Sequence, residues 1–565
     1  MTYGPTLPIS ESTHASKYRG EGESFEDGAT RNAWSMSDDA KHFELFRPIV
    51  LNMRFMAAGR VQAAMGSPRH VTPYNCFVSE TIVDSIEGIM RAATNAAHTM
   101  RLGGGIGYDF STLRPRGDRI VSLDSRASGP VSFMEIFNSV CKTIASAGNR
   151  RGAQMAVLRV DHPDIQEFVH AKQVLGALEE FNISVAVTDE FMEAVRDDAM
   201  FELKFEGVSY GKINARNLWE DIMRSTWDWA EPGVLFIDRI NQMNNLWYCE
   251  DLAATNPCGE QPLPPDGACL LGSFNLVKYL KTTVEGTVEG FDWDAFKADI
   301  PPVVRAMDNV VDRAVYPLPA QELEAHNKRR MGLGVTAAAN AGEILGYPYG
   351  SEAFLEWLEK VLETLKNESY RASAMLAKEK GPFPLYDKVQ FKKGRFFKGL
   401  DEYVQSLISR YGLRNSHLTS IAPTGTISLS ADNVSSGIEP AFALEATRVI
   451  QGAHGPVIVE VQDYAYRVYG VKGKVSSELD AQEHLAVLAV AQKHVDSAVS
   501  KTCNVSPDME WEAFKSIYYN AWEMGCKGIT TYNPGGKRAG ILVATNTEDE
   551  DAACWINPDG SKSCE

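Results

Sequence analysis

The alternation of segment types between residues 40 and 250 constrains the fold more than any other feature. DSIEGIMRAATNAAHTM (84–100) and PVSFMEIFNSVCKTIASA (130–147) space their apolar residues as amphipathic helices do, whereas QMAVLRV (154–160) and NISVAVT (182–188) are short β-rich apolar runs. Strands that alternate with helices predict an α/β architecture around a mainly parallel sheet. Gly and Pro concentrate between 250 and 450, which predicts loops there, and residues 477–528 return to a helical pattern. Residues 1–40, rich in Gly, Ser and charge, predict a loosely ordered polar arm, so the body of the fold is expected over 41–540. The acidic, small-sided TNTEDEDAACWINPDGSKSCE has little to pack and predicts a flexible tail over 541–565.

The chain has 565 residues, 44% of them hydrophobic and 10% aromatic, enough for a large core. A net charge of −18 argues against a nucleic-acid-binding body, which needs concentrated Lys and Arg. No long apolar run is present and the start is polar, so neither a membrane span nor a signal peptide is expected, and a cytosolic protein is. Nine scattered cysteines without a CxxC fit neither a disulfide scaffold nor a structural zinc site, so no metal site is expected. Each is a free thiol, a ligand or a redox group.

Four segments hold residues suited to chemistry. RLGGGIGYDFS (101–111) has the glycines of a phosphate loop but lacks the Lys-Ser/Thr of a Walker sequence, so a tight turn packed against another backbone is the better reading. ASAGNRRGAQ (145–154) sets Arg150 and Arg151 beside Gly148, which suits either a loop that grips an anion or a solvated surface loop. IAPTGTISLS (421–430) offers hydroxyls and backbone N–H groups around Gly425, which can wrap a phosphate without a cation. In NPCGEQPLPPDGAC (256–269), Pro257 and Gly259 flank Cys258, implying a rigid loop with one thiol at its tip. Glu260 is near enough for acid–base work and Asn256 for hydrogen bonding. Spacing alone leaves an inert buried cysteine equally open.

Taken together, these segments resemble the catalytic subunit of ribonucleotide reductases. NPCGEQ followed by GACLLGSFNL looks like that family's finger-loop region. Further matches fall in the family's order: PYNCFVSETIVDSIEGI (73–89), GGGIGYDFSTLRPRGD (103–118), SGPVSFMEIFN (128–138), NRRGAQ (149–154), FNISVAVTDEFMEAV (181–195), RRMGLGV (329–335), PTGTISL (423–429), SSGIEPAF (435–442) and KGITTYNPGGKR (527–538).

The resemblance implies a ten-stranded α/β barrel of two antiparallel halves, each of five parallel strands, with the finger loop threaded through its centre. It implies that Cys258 carries a thiyl radical and abstracts the ribose 3′-hydrogen, that Glu260 is the base on the 3′-hydroxyl, and that Asn256 orients the ribose. Cys76 and Cys269 match the thiols that reduce the 2′ position and finish as a disulfide. Asn75 and the run Pro423, Thr424, Gly425, Thr426, Ile427 and Ser428 match substrate-binding positions. Cys554 and Cys564 resemble the tail pair that re-reduces that disulfide by exchange with a thioredoxin- or glutaredoxin-like partner, although ten residues separate them.

Asp84, Arg114 and Arg119 lie where the family binds a deoxynucleoside triphosphate effector across a homodimer interface, and Asn149, Arg150 and Arg151 fall in its specificity loop. Motifs that begin near residue 45 leave no room for an N-terminal ATP-cone. The substrate is expected to be a ribonucleoside di- or triphosphate. Adenosylcobalamin is the favoured radical source, because the oxygen-dependent class uses adjacent tyrosines where this chain has Thr531-Tyr532. Transfer through Tyr532 from a metal-containing small subunit is the alternative. A non-catalytic nucleotide-binding protein of this fold is a remote one, since all five catalytic positions are intact.

Overall fold

The computed structural model describes residues 3–120, 124–144, 153–174, 176–452 and 455–536, and two short strands at 554–556 and 562–564. Ten strands make one sheet: β1 (Phe55–Ala57), β2 (Cys76–Val78), β3 (Gly105–Asp109), β4 (Gln154–Arg159), β5 (Phe181–Val187), β6 (Gly233–Phe236), β7 (Ala268–Asn275), β8 (Met331–Thr336), β9 (Thr502–Asn504) and β10 (Gly528–Tyr532). Their order is β1-β7-β2-β3-β4-β5-β6-β10-β9, with β8 along another edge of β7.

From β2 to β6 every neighbouring pair is parallel. Both ends of this run change direction, for β7 meets β2 and β10 meets β6 antiparallel. Beyond these junctions β7 pairs with β8 and β9 with β10 in parallel, while β1 lies antiparallel on β7. Single parallel bridges, Leu333 with Thr419 and Ile421 with Val499, extend the pairing from β8 toward residues just before β9. The apolar runs that read as strands are buried almost throughout, as all eight residues of β7 are, because chain covers both faces of the sheet.

Helices lie between the strands as the alternation predicts. The first amphipathic segment is a helix over Ile86–Arg101 that buries Ile89, Ala92, Ala93, Ala96 and Met100, and Ser85 caps its start by accepting from the Gly88 N–H at 3.0 Å. The second is a helix over Pro130–Thr143.

Two expectations are corrected. Residues 1–40 do not form a loose arm: α1 (Pro8–Tyr18) and α2 (Phe25–Met36) pack into the core through Ile9, Tyr18, Phe25, Ala33 and Met36. A reciprocal cap between Ser24 and Asp27 starts α2. The polar composition misleads because its charges have internal partners. Buried Arg19 donates to both carboxylate oxygens of Glu11 at 2.6 Å, and Arg31 holds Glu23.

The second correction is one of degree, for the middle, where loops were expected, also holds the long helices α3 (Trp293–Arg313) and α4 (Glu352–Lys380). Gly and Pro there fall largely between elements. The 29 residues of α4 contain neither, whereas α3 tolerates Pro301 and Pro302. In the tail, Cys554–Ile556 and Lys562–Cys564 pair antiparallel, and the rest of 541–565 lies outside the described residues. No helix among the described residues is long and apolar enough to cross a membrane.

Candidate active site

NPCGEQ folds as a narrow loop closed by its own backbone. Ala254–Thr255 pairs with Pro262–Leu263, and inside this hairpin the Asn256 N–H donates to the Gln261 carbonyl at 3.1 Å. The Asn256 side chain tightens the turn further, its Oδ1 accepting from the Gln261 N–H at 2.9 Å. Gly259 has φ +83°, a left-handed conformation that a side chain would strain, and this turn puts Cys258 half-buried at the tip.

Three outside contacts seat the loop. Asn182 donates to the Pro257 carbonyl at 3.0 Å, and the Ala498 N–H and the Ser420 hydroxyl donate to the Glu260 carbonyl at 2.9 and 3.0 Å. The loop also presses on β3, where a Cβ at Gly107 would lie 1.8 Å from the Thr255 carbonyl oxygen. GGGIG is therefore a place of close backbone approach.

Around the tip the chain gathers the groups that sequence separates. Cys76 on β2 is the direct partner of Cys269 on β7. Opposed residues on antiparallel strands have Cα atoms about 4.5–5.5 Å apart, within disulfide range. Both are buried free thiols. Burial, and after it the neighbouring Glu260 carboxyl, pushes the Cys76 thiol well above its usual range, and burial does the same to Cys269. Both are protonated at neutral pH.

Cys76 Sγ donates to Glu260 Oε1 at 3.7 Å and receives Asn256 Nδ2 at 3.1 Å. Burial raises the Glu260 carboxyl to about 7, which suits a group that takes and returns a proton near neutrality. Its Oε2, like Asn75 Oδ1, is buried without a hydrogen-bond partner. Both residues line one cavity, which Cys76 and Cys258 also line.

Across the cavity from Cys258 lies α5 (Gly425–Ser430) and the turn before it. Pro423, Thr424, Gly425, Thr426 and Ile427 line the space, as do Asn256, Pro257, Cys76 and Leu271. Thr424 has φ +57°, a strained conformation for a β-branched residue. Its hydroxyl holds it there, accepting from the Gly437 N–H at 2.6 Å and sharing a hydrogen bond with the Thr336 hydroxyl at 3.0 Å. Ser428 is not part of this lining. Its hydroxyl bonds the Gly425 carbonyl and the Ser436 hydroxyl, bracing the turn from behind.

The other expected residues are dispersed. Arg114 donates to Asp84 at 2.6 Å on the partly exposed start of the 86–101 helix, whereas Arg119 pairs with Asp124 in an exposed turn and not with Asp84. Asn149, Arg150 and Arg151 lie outside the described residues. Tyr532 is buried at the end of β10, and the hydroxyl beside it belongs to Thr531, bonded to Tyr518 at 2.8 Å. Cys554 and Cys564 stand opposite each other in the tail pairing, so a hairpin closes their ten-residue offset, and the strand with Cys564 runs beside α5. Sequence reasoning missed Tyr18, Gly59 and Ser273, which also line the cavity. No motif marks them, and Tyr18 sits in the segment misread as an arm.

Residues 74–532 match the family model described as the barrel domain of ribonucleotide reductase. The chain belongs to the ribonucleotide reductase family. It is an oxidoreductase that acts on ribonucleotides, and the match covers its catalytic body. A vitamin B12-dependent ribonucleoside-diphosphate reductase of Mycobacterium tuberculosis is 34% identical over 91% of this chain and 75% of its own length. One from Thermoplasma acidophilum is 36% identical over 84% of this chain and 63% of its own length. The ribonucleoside-diphosphate reductase large subunit of Monkeypox virus is 28% identical over 68% of this chain and 55% of its own length.

Proposed function

We propose that this ribonucleotide reductase reduces ribonucleoside diphosphates with a radical initiated by adenosylcobalamin. The observation that carries the reading is the convergence of Cys258, Glu260 and Cys76 on one cavity, with Cys269 opposed to Cys76 behind its wall. The substrate class and the cofactor are taken from the names of the bacterial and archaeal relatives. Small residues around the Cys258 tip, among them Gly105, Ala153 and Ala422, leave space beside the thiol and fit the approach of a bulky group. When bound, adenosylcobalamin supplies the one-electron chemistry that turns the Cys258 thiol into a thiyl radical.

The residues then divide the work. Cys258 takes the 3′-hydrogen atom while Glu260, ionised, accepts the 3′-hydroxyl proton and Asn256 holds the ribose. The 2′-hydroxyl leaves as water with a proton from the Cys76–Cys269 pair, whose second hydrogen and two electrons complete the reduction. The pair ends as a disulfide, and Cys258 returns its hydrogen to C3′. Asn75 Oδ1 accepts from a ribose hydroxyl, and 424–427 cradle the phosphates through backbone N–H groups.

The bridges beyond β8 support a closed barrel of two antiparallel five-stranded halves, with NPCGEQ inside it. Cys554 and Cys564 form the shuttle toward a thioredoxin- or glutaredoxin-like protein. Asp84 with Arg114 belongs to a deoxynucleoside triphosphate site at a homodimer interface. Delivery of the radical through Tyr532 from a small subunit is not adopted, because a threonine adjoins that tyrosine. The test is reduction of CDP by the purified chain with adenosylcobalamin alone and, separately, with a metal-bearing small subunit. Turnover in the second mixture only overturns the cofactor assignment, and turnover in neither overturns the function.

A further inference from the structure

The first helix of the chain reaches the active-site cavity from outside the family-matched region. Its start is clamped to α5, which carries the proposed phosphate cradle. The Thr6 and Leu7 N–H groups donate to Asp432 Oδ1 at 2.6 and 2.9 Å, and the Ser10 hydroxyl donates to the Leu429 carbonyl at 2.6 Å. Thr6 and Leu7 meet residue 432 and Ser10 meets residue 429, so α1 runs back along α5 toward the turn at 423–425. There it delivers its last residue, Tyr18, to the cavity wall.

Tyr18 is 3% exposed, and its ring both packs in the core and meets open space. One side faces the cavity shared by Cys258, Glu260 and residues 422–427. The ring also borders a second, small and largely apolar space lined by Phe25, Met36, Phe46 and Phe55 among others. It is a partition between two spaces. Its seat depends on Gly59, because a Cβ there would lie 2.6 Å from Tyr18 Cε1 and 3.1 Å from its hydroxyl. Backbone anchors fix the C-terminal end of α1 as well, for Arg31 donates to the Tyr18 carbonyl at 3.2 Å and Arg69 to the Arg19 carbonyl at 2.8 Å.

We propose that Tyr18, carried by α1, is a specificity-determining wall at the phosphate end of the cavity and sets the length of phosphate chain the site accepts. This rests on the reading of 424–427 as the phosphate cradle. That the cavity takes a polar ligand is independently indicated by Glu260 Oε2 and Asn75 Oδ1, buried at its lining without protein partners. With the ring in place the space beyond the second phosphate is closed, and a diphosphate is preferred to a triphosphate. Removing the ring opens that wall, and the volume it vacates beside 422–427 gives a third phosphate room.

The experiment is equilibrium binding of CDP and CTP to the full chain without a radical source, with dTTP present throughout to fill the effector site. Tyr18→Ala is expected to lower the ratio of CTP to CDP dissociation constants about tenfold or more, the scale on which filled pocket volume discriminates ligands. Tyr18→Phe retains the ring and is expected to hold the ratio within about twofold of wild type. Asp432→Asn, which weakens the clamp without entering the cavity, moves the ratio in the same direction as Tyr18→Ala by a smaller factor. An unchanged ratio in a Tyr18→Ala chain that unfolds cooperatively overturns the proposal. If that variant does not fold, an unchanged ratio in Asp432→Asn overturns it. Failure of the wild-type chain to bind either nucleotide removes the proposed function and the wall with it, an outcome distinct from binding with an unaltered ratio.

Discussion

The loop that carries Cys258 and the strand pair that carries Cys76 and Cys269 each bring a thiol to one cavity, Cys258 and Cys76, by opposite means. At the loop tip, Cys258 owes its position to a hairpin, a left-handed Gly259 and hydrogen bonds to backbone carbonyls, and it stays half-buried beside open space. Cys76 and Cys269 owe theirs to register. A one-residue slip between β2 and β7 would turn one of them to the other face of the sheet and leave the pair unformed. Burial keeps both as neutral thiols, poor nucleophiles but ready hydrogen donors. A single accessible thiol suits one-electron chemistry, and two opposed, protonated thiols suit a two-electron reduction that ends in a disulfide.

The sharpest way to break this division is Cys258→Ser. It nearly preserves shape but cannot form the radical at accessible energy, so turnover is expected to vanish while CDP binding persists. Multiple turnovers by this variant would end the distinction between loop and strands.

Gly107→Ala tests whether the loop's placement depends on β3. The added Cβ meets the Thr255 carbonyl at 1.8 Å, so the loop must move. A displacement of about 1 Å at reacting groups costs on the order of a hundredfold in kcat. The check is single-turnover kinetics beside a thermal melt, and wild-type kinetics would show that the loop is seated by other contacts.

Replacing Cys76 or Cys269 by Ser addresses the strand pair. Radical initiation, followed by electron paramagnetic resonance, is expected to survive while deoxynucleotide formation stops. Normal product formation would remove the pair from the chemistry.

The tail sharpens the comparison by adding a second opposed pair, Cys554 with Cys564. With both replaced by Ser, one turnover from pre-reduced enzyme should remain. Cycling with a thioredoxin-like protein should fail, and dithiothreitol should partly restore it, because exchange needs direct contact with a buried disulfide. Unimpaired cycling with the protein reductant would show another route to Cys76 and Cys269.

Glu260, which both regions touch, is read through pH. Its carboxyl is raised from 4.5 to about 7 by burial, so the ionised base accumulates only above about pH 7. kcat should rise through that pH, and Glu260→Gln should abolish the rise along with most activity. The stability term has the opposite sign. Between pH 4.5 and 7 the unfolded chain loses a proton that the folded chain keeps, so folding weakens as pH rises, by up to about 3 kcal/mol. Glu260→Gln should therefore flatten the pH dependence of denaturant midpoints over that range.

Much of this was legible along the chain. The α/β alternation announced the parallel run β2–β6, and NPCGEQ with its flanking Pro257 and Gly259 announced a rigid loop with one thiol at its tip. One reading failed where composition stood in for contact. The polar composition of residues 1–40 suggested a loose arm, yet Arg19 and Arg31 pair with Glu11 and Glu23 inside the fold.

The sequence by itself determined local matters: which segments are helical or extended, where the loop turns, and which residue types are available for radical, acid–base and redox work. These depend on side-chain periodicity, and on Gly and Pro dihedral limits acting over a few residues. Only the tertiary structure decided that Cys76 faces Cys269 across 193 positions of chain, that Glu260 lies close enough to be shifted by burial, and that Tyr18 closes a cavity built mostly by residues far along the chain. Register, desolvation and cavity shape arise from packing between distant segments, and no short stretch of sequence contains that information.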